Sequence, residues 1–527
     1  MNRLENRLRA IAPDILKGML RGIEREGLRA TPDGMLAKTP HPARLGSPLT
    51  HPHITTDFSE SQLELITGVL PNADACENEL TEIHQVVYRQ IGEELLWCTS
   101  MPCRLPPDDD IPVGQYGSSN VGRTKTVYRL GLSHRYGRRM QTVSGIHYNF
   151  SLPEAAWPML QQADNVKGST HTYRNDAYFS LIRNFRRRSW LLLYLFGASP
   201  AVCRSFVAGR PHRLIELEAN TLYLPYGTSL RMSPLGYQSH AQASLRVSYN
   251  DLKSYADSLN RALTEPYPPY EAIGIGEGDD YRQLSTTLLQ IENEFYGTIR
   301  PKRRILTGER PLRALSERGV EYVEVRCMDV DPFVPTGITA GTMRFLDVFL
   351  LHCLLSDSPA DTPENIAAHA GNQQQTAERG RDPELRLNRL GEEITLAAWG
   401  HEVLRECEPI AATLDELHGG ASFRDALSAA RAVLDDPGQA PSARVLAQMR
   451  AGHGGSHLEF ALDRSQRHRR ELLERPLAQA TAERFATMAE ESLAERRAIE
   501  AADRIPFETY RRRYILQDLL RGPQRVA

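Results

Sequence analysis

Apolar and polar side chains alternate in short runs through residues 1–355, broken by Gly and Pro, whereas residues 356–527 follow the longer period of helices. In SGIHYNFSL, Ile146, Tyr148, Phe150 and Leu152 fall on one face of a predicted strand, and His147, Asn149 and Ser151 on the other. In EYVEVRCMD, Val323, Val325 and Cys327 oppose Tyr322, Glu324 and Arg326. LQIENEFY reads the same way, with Leu289 and Ile291 opposite Glu292, Glu294 and Tyr296. In GIEREGLR, Gly22 is read as the end of a preceding helix. If the residues after it are extended, Glu24 and Glu26 share a face; on a helix they would stand about 200° apart. Such strands are either half exposed or the wall of a polar working surface with helices packed behind it.

The stretch 356–383, SDSPADTPENIAAHAGNQQQTAERGRDP, is polar and lacks periodicity. It predicts a boundary between a mixed region, 1–355, and a mainly helical region, 356–527, packed on it. Segments such as LERPLAQATAERFATMAEESLAERRAIEAADR, rich in Ala, Glu, Arg and Leu, should be amphipathic helices.

Composition narrows the class. With 527 residues, 41% hydrophobic and 24% charged, the chain has the makeup of a globular protein with a large core. Its formal charge of -3 favours neither nucleic acid nor an anionic membrane. MNRLENRLRAIAPDILKG lacks the apolar stretch of a signal peptide. No run approaches the ~20 apolar residues of a membrane span, so a cytoplasmic location is expected. The seven cysteines are scattered without a CxxC, which predicts reduced, mostly buried thiols.

The candidate metal ligands are Glu24, Glu26, Asp57, Glu64, His147 and Glu324. Carboxylate oxygens suit magnesium or manganese. Either these acids are dispersed on the surface or divalent ions sit among them, because a bare acidic cluster repels itself. Arg129, Arg231 and Arg326 could hold carboxylates or brace a phosphoryl group. GSSNVGRT, residues 117–124, has P-loop spacing with Arg123 in place of lysine. The acidic, proline-rich PPDDDIPVGQY before it does not read as the buried strand a P-loop needs. His401 and Glu402 lack the second histidine of a zinc motif, since Arg405 holds that place, and no GxSxG occurs. The basic run Arg183–Arg188 reads as a solvated helix face.

Eight collinear segments carry a resemblance: GIEREGLR, HITTDFSESQLELIT, QYGSSNVGRTKTVYRLGLSHRYG, MQTVSGIHYNFSLP, YLFGASPAVC, YLPYGTSLRMSPLGY, LQIENEFYGTIRPKR and GVEYVEVRCMDVDPF. Together they resemble the proteobacterial type of glutamate–cysteine ligase (γ-glutamylcysteine synthetase), from about residue 15 to about residue 360 and more weakly beyond. The segments around 361–383 and RAGHGGSHLEF depart from the family pattern.

The resemblance implies an α+β fold of the glutamine-synthetase catalytic type: a curved antiparallel sheet forming a funnel, helices outside it, and a helical C-terminal region. It implies metal ligation by Glu24, Asp57, Glu64, His147 and Glu324, with Glu26 beside them. It places Phe58, Tyr128, Leu132, Gln141, Tyr237 and Tyr296 around cysteine, Arg129 and Arg231 on carboxylates, and Asn149 on the glutamate side. Arg326, with Glu324, falls at the transferring phosphoryl group. The implied reaction phosphorylates the γ-carboxylate of L-glutamate with ATP and then transfers the acyl group to the amine of L-cysteine, with Mg2+, or Mn2+, as cofactor. Asp57 is the candidate proton acceptor for that amine. A monomer with feedback inhibition by glutathione is implied as well. Two alternatives stay open: a related carboxylate–amine ligase with another amine acceptor, and a non-catalytic binding protein of the same fold.

Overall fold

In the computed structural model, which describes residues 3–236, 241–278, 280–306 and 308–516, the alternating segments build one antiparallel sheet. Its seven strands are β1 (Leu20–Ala30), β2 (Ile54–Thr56), β3 (Gln62–Ile66), β4 (Leu95–Leu96), β5 (Ile146–Ser151), β6 (Ile299–Lys302) and β7 (Tyr322–Met328). Their order is β6-β7-β5-β1-β3-β2, with β4 on the far end of β1. Residues directly opposite in an antiparallel pair share a face. Glu24 stands opposite His147, Glu26 opposite Glu64, and Glu324 opposite both Asn149 and Arg300. The register thus gathers the charged side chains of five strands on one face.

The other face is apolar. Ile23, Tyr148, Phe150, Val323 and Val325 are buried in a core shared with helices α1 (Ala73–Tyr88), α3 (Thr170–Arg188) and α4 (Ala340–Leu355). Each such side chain contributes about 1.5–3 kcal/mol through burial. Helix α2 (Asn120–Tyr136) carries the GSSNVGRT run at its start. Ser119 caps it by accepting from the Gly122 N–H, and an irregular segment, not a strand, precedes it. That local structure excludes a P-loop.

Four expectations need correction. Gly22 lies inside β1; the preceding helix, Pro13–Lys17, ends on Gly18. LQIENEFY is no strand: a single 3-10 turn spans Glu292–Glu294. The presumed linker 356–383 contains helix α5 (Pro363–Arg379). Within the run Arg183–Arg188, Arg183 and Arg187 are buried rather than solvated. All seven cysteines are buried and unbridged.

The remaining residues are mainly helical, including α6 (Leu396–His418), α7 (Ser422–Asp435) and α8 (Phe507–Ile515). α6 and α7 pack on α4, so the core runs without interruption from Leu8 to Phe485. Among the described residues no helix is long and apolar enough to cross a membrane. The class is the α+β one that the resemblance implied.

Candidate active site

The polar face of the sheet and the inner side of α2 enclose a cavity of ≈ 370 Å³. Every singled-out residue lines it except Asn149 and Tyr237. Tyr237 lies outside the described residues. Asn149 stands behind the lining: its amide donates to Glu24 Oε1 at 2.9 Å.

Glu24, Glu64 and His147 each present a ligand atom, all within 4.8 Å of one another. His147 is the hub. Its Nδ1 lies 3.1 Å from Glu24 Oε2 and 3.9 Å from Glu324 Oε1, and its Nε2 lies 3.3 Å from Glu26 Oε1. That Nε2 is buried and makes no hydrogen bond. Glu26 is committed elsewhere, because its Oε2 accepts from the Gly145 N–H at 2.7 Å. Asp57 lines the cavity outside the tight cluster, and its backbone carbonyl accepts from Arg129 Nε.

The electrostatics divide the acids. Burial, and then Glu24, Asp57 and Glu26, push the Glu64 carboxyl well above the ordinary range. Burial also raises Glu26. Glu324 goes the other way: burial opposes its charge, but Lys302, Arg326 and His147 outweigh it and hold the carboxyl well below the ordinary range. Lys302 Nζ is 3.2 Å from its Oε1, and Arg326 Nη1 is 3.1 Å from its Oε2. Hard oxygens, one imidazole with a buried nitrogen that makes no hydrogen bond among the described residues, and a carboxyl lifted by burial and by its neighbours form a donor set that fits a divalent cation.

Arg326 sits where the register of β7 against β5 shifts, between Val325 and Met328. Arg231 is buried, donates to the Arg326 carbonyl at 2.9 Å and lies against Gly145, where an added Cβ would meet its guanidinium at 2.1 Å. Phe58 and Leu132 give one apolar corner of the cavity, with Tyr128 beside them. Gln141 donates to the Tyr296 hydroxyl at 3.0 Å. Gly131 lets Gln290 lie on α2, since a Cβ there would meet its amide at 2.1 Å.

Some lining residues were not singled out from the sequence. Lys302 and Arg300 belong to the quoted segment LQIENEFYGTIRPKR, but the basic run RPKRR at 300–304 carries no signal of which of its side chains points inward. Lys125, on α2, is drawn down to about 8 by burial and by Arg129. The acids of the misread strand are engaged: Glu292 pairs with Arg310 at 2.7 Å and Glu294 with Arg135 at 2.8 Å.

Comparisons with known proteins bear on this geometry. The profile of the family described as glutamate-cysteine ligase matches residues 6–376. The glutamate–cysteine ligase of Pseudomonas entomophila is 50% identical over 497 residues, 94% of this chain and 94% of its own length. That of Azotobacter vinelandii is 51% identical over 499 residues, again 94% of each. The crystal structure of glutamate–cysteine ligase from Francisella tularensis, in complex with AMP, superposes with a TM-score of 0.89 at 38% identity, covering 94% of this chain and 97% of that one. A bifunctional glutathione synthetase from Pasteurella multocida gives a TM-score of 0.73 at 27% identity over 92% of this chain and 57% of its own.

Proposed function

The chain belongs to the glutamate–cysteine ligase family, and on that premise we propose how its residues divide the reaction. It joins the γ-carboxylate of L-glutamate to the amine of L-cysteine with ATP as co-substrate, in glutathione synthesis. A γ-carboxylate oxygen attacks the γ-phosphorus of ATP and ADP leaves. The cysteine amine then attacks the acyl carbon, and inorganic phosphate and a proton are released.

The observation that carries the reading is the convergence of Glu24, Glu64 and His147 beside Glu324, Lys302 and Arg326 in one cavity. Mg2+ or Mn2+, bound there by Glu24, Glu64, His147 and Glu324 with Asp57 and Glu26 nearby, would supply the positive charge that offsets phosphate oxygens. Arg326 and Lys302 face the transferring group as fixed cations, and Glu324 holds both in place. Arg129 and Arg231 bind substrate carboxylates. Asn149 serves the glutamate side by fixing Glu24. Phe58, Tyr128, Leu132, Gln141 and Tyr296, with Tyr237, bound the cysteine side chain. One methylene more or less in such a pocket is worth about 1–3 kcal/mol, so close analogues are accepted. Asp57 adjoins Phe58 and is the group assigned to take the amine proton. The 1–355 region carries the chemistry and 356–527 braces it. A cytoplasmic monomer, inhibited by glutathione, completes the proposal.

ADP release tests it, with glutamate plus cysteine, 2-aminobutyrate or a bulky amine, with and without Mg2+. Turnover is expected with the first two acceptors and is lost in EDTA. Glu324→Gln should lower kcat about 10²-fold with folding intact. Turnover with bulky amines and none with cysteine, or unchanged turnover in Glu324→Gln, would sink the reading.

A further inference from the structure

We propose that Glu500 and Asp503, which do not line the cavity, are positioning residues for the acceptor amino acid: by filling the N-terminus of α2 they set where Tyr128, Arg129 and Leu132 stand. The inference rests on the ligase reading above and adds residues to it.

α2 presents two stripes. Thr124, Lys125, Tyr128, Arg129 and Leu132 line the cavity, and their spacing keeps them on one face of the helix. Arg129 Nε donates to the Asp57 carbonyl, next to Phe58, so this face is the wall at the cysteine end. The groups assigned to metal and phosphate stand elsewhere: Glu24, Glu64, His147, Lys302, Glu324 and Arg326 are all on strands of the sheet. A displacement of α2 therefore reaches the acceptor amino acid before it reaches ATP. Misplacing a binding group by a fraction of an ångström to an ångström is enough to weaken its contact severalfold or more.

The start of α2 is the GSSNVGRT run, and the N–H groups that a P-loop would turn on phosphate are taken by acids of this chain. α2 has no acidic residue in its own first turn, where unpaired N–H groups and the helix dipole favour negative charge. The charge arrives from 382 and 383 positions away: Glu500 Oε1 accepts from the Ser118 N–H at 2.9 Å, and Asp503 Oδ2 from the Asn120 N–H at 2.6 Å. Gly117 makes room for this. Its φ is +88°, and a Cβ there would meet Glu500 Oε1 at 2.4 Å, so both the backbone and the approach of the acid require glycine. The chain after Asp503 then follows the second stripe of α2, Asn120, Arg123 and Val127. Asn120 Nδ2 donates to the Ile505 carbonyl at 3.0 Å, the Arg123 guanidinium lies 4.5 Å from the centre of the Phe507 ring, and Val127 packs in one cluster with Phe507. α8, whose Tyr514 lines the cavity, keeps ties of its own: Arg310 donates to the Tyr514 carbonyl at 2.9 Å, and Arg511 to the Leu284 carbonyl. Removing the two acids loosens α2 and leaves α8 seated.

The test is steady-state ADP release by the full-length wild type, the double variant Glu500→Ala with Asp503→Ala, Asp503→Ala alone and Asp503→Asn, each substrate being varied in turn. The double variant should raise KM for cysteine about tenfold, with KM for ATP and for glutamate unchanged. Asp503→Ala alone should raise it about threefold. Asp503→Asn keeps an oxygen that accepts from the Asn120 N–H and should restore KM for cysteine to near the wild-type value. An unchanged KM for cysteine in a folded double variant overturns the proposal. So does a parallel rise in all three KM values, or a fall in kcat alone, which a merely structural contact would produce. Asp503→Asn as impaired as Asp503→Ala overturns it too. If the double variant does not fold, Asp503→Ala against Asp503→Asn decides the matter. A wild type without ADP release dependent on glutamate and cysteine defeats the ligase reading itself; one that turns over while the alanine variants are indifferent defeats only the positioning role.

Discussion

Glu64 is the residue at which the fold works against the chemistry of a single side chain. It is held near Glu24, Glu26 and Asp57 and its carboxyl is pushed well above the ordinary range, by burial first. A carboxyl that binds its proton more tightly folded than unfolded favours folding below about pH 4.5 and opposes it increasingly as the pH climbs toward its raised value. The loss is about 1.4 kcal/mol per pH unit for a full proton. A bound divalent cation removes it. The Tm difference between Mg2+ and EDTA samples should therefore widen as the pH rises above about 4.5. Glu64→Gln should raise the Tm in EDTA and flatten that trend, as scanning calorimetry would show. A difference independent of pH in the wild type would remove Glu64 from the charge cluster. At this scale the acids were legible because period-two alternation put Glu24 with Glu26, and Glu324 opposite Val323 and Val325. Lys302 and Gly145 were not, because one lysine of a basic run, or a single glycine, acquires meaning only from what stands across from it.

At the scale of elements, the basic run on α3 shows how a helix face can be misread. Arg183 and Arg187 are four apart and point the same way. Arg183 donates to the carbonyls of Tyr249 and Asn250 at 3.1 and 2.8 Å. Arg187 pairs with Asp361 at 2.7 Å and donates to the Ser358 hydroxyl at 3.3 Å. Together they pin the segment after α4 onto α3. Replacing Arg186 and Arg187 together by Ala should destabilise the protein by about 3 kcal/mol, since it strands the buried Asp361 carboxylate with which both arginines pair. Urea unfolding would measure that, with KM values unchanged; a loss under 1 kcal/mol would mean the pair is solvated after all. Helix α5 was missed for a related reason. It buries His369, Asn372 and Thr376, and Asn372 exchanges two hydrogen bonds of 2.8 Å with the backbone of Asn388. A helix whose inner face is polar has no hydrophobic period to read.

Across the whole molecule, α4 decides what can stand alone. Phe345, Leu346, Val348, Phe349, Leu350 and Leu351 are all buried, as are Asp347 and His352, so from Phe345 onward the helix is enclosed around its full circumference. α1 and α3 pack on it, as do α6 and α7. Removing α6 and α7 would bare one side of it. A chain ending at residue 355 should therefore fail to give a cooperative melt or a dispersed amide spectrum, although it carries every singled-out site residue; a well-folded fragment would overturn the argument. The sequence by itself determined three strands of the working face, β1, β5 and β7, the class of ligand its acids and arginines suit, and, through the collinear segments, the reaction. Those are local or ordered properties that survive in one dimension. Only the tertiary structure decided which acids converge on His147, that Lys302 and Arg326 meet on Glu324, and that the last described helix reaches the cavity. Each of those depends on strand order, register or packing, and no pattern of apolar and polar positions along the chain encodes them.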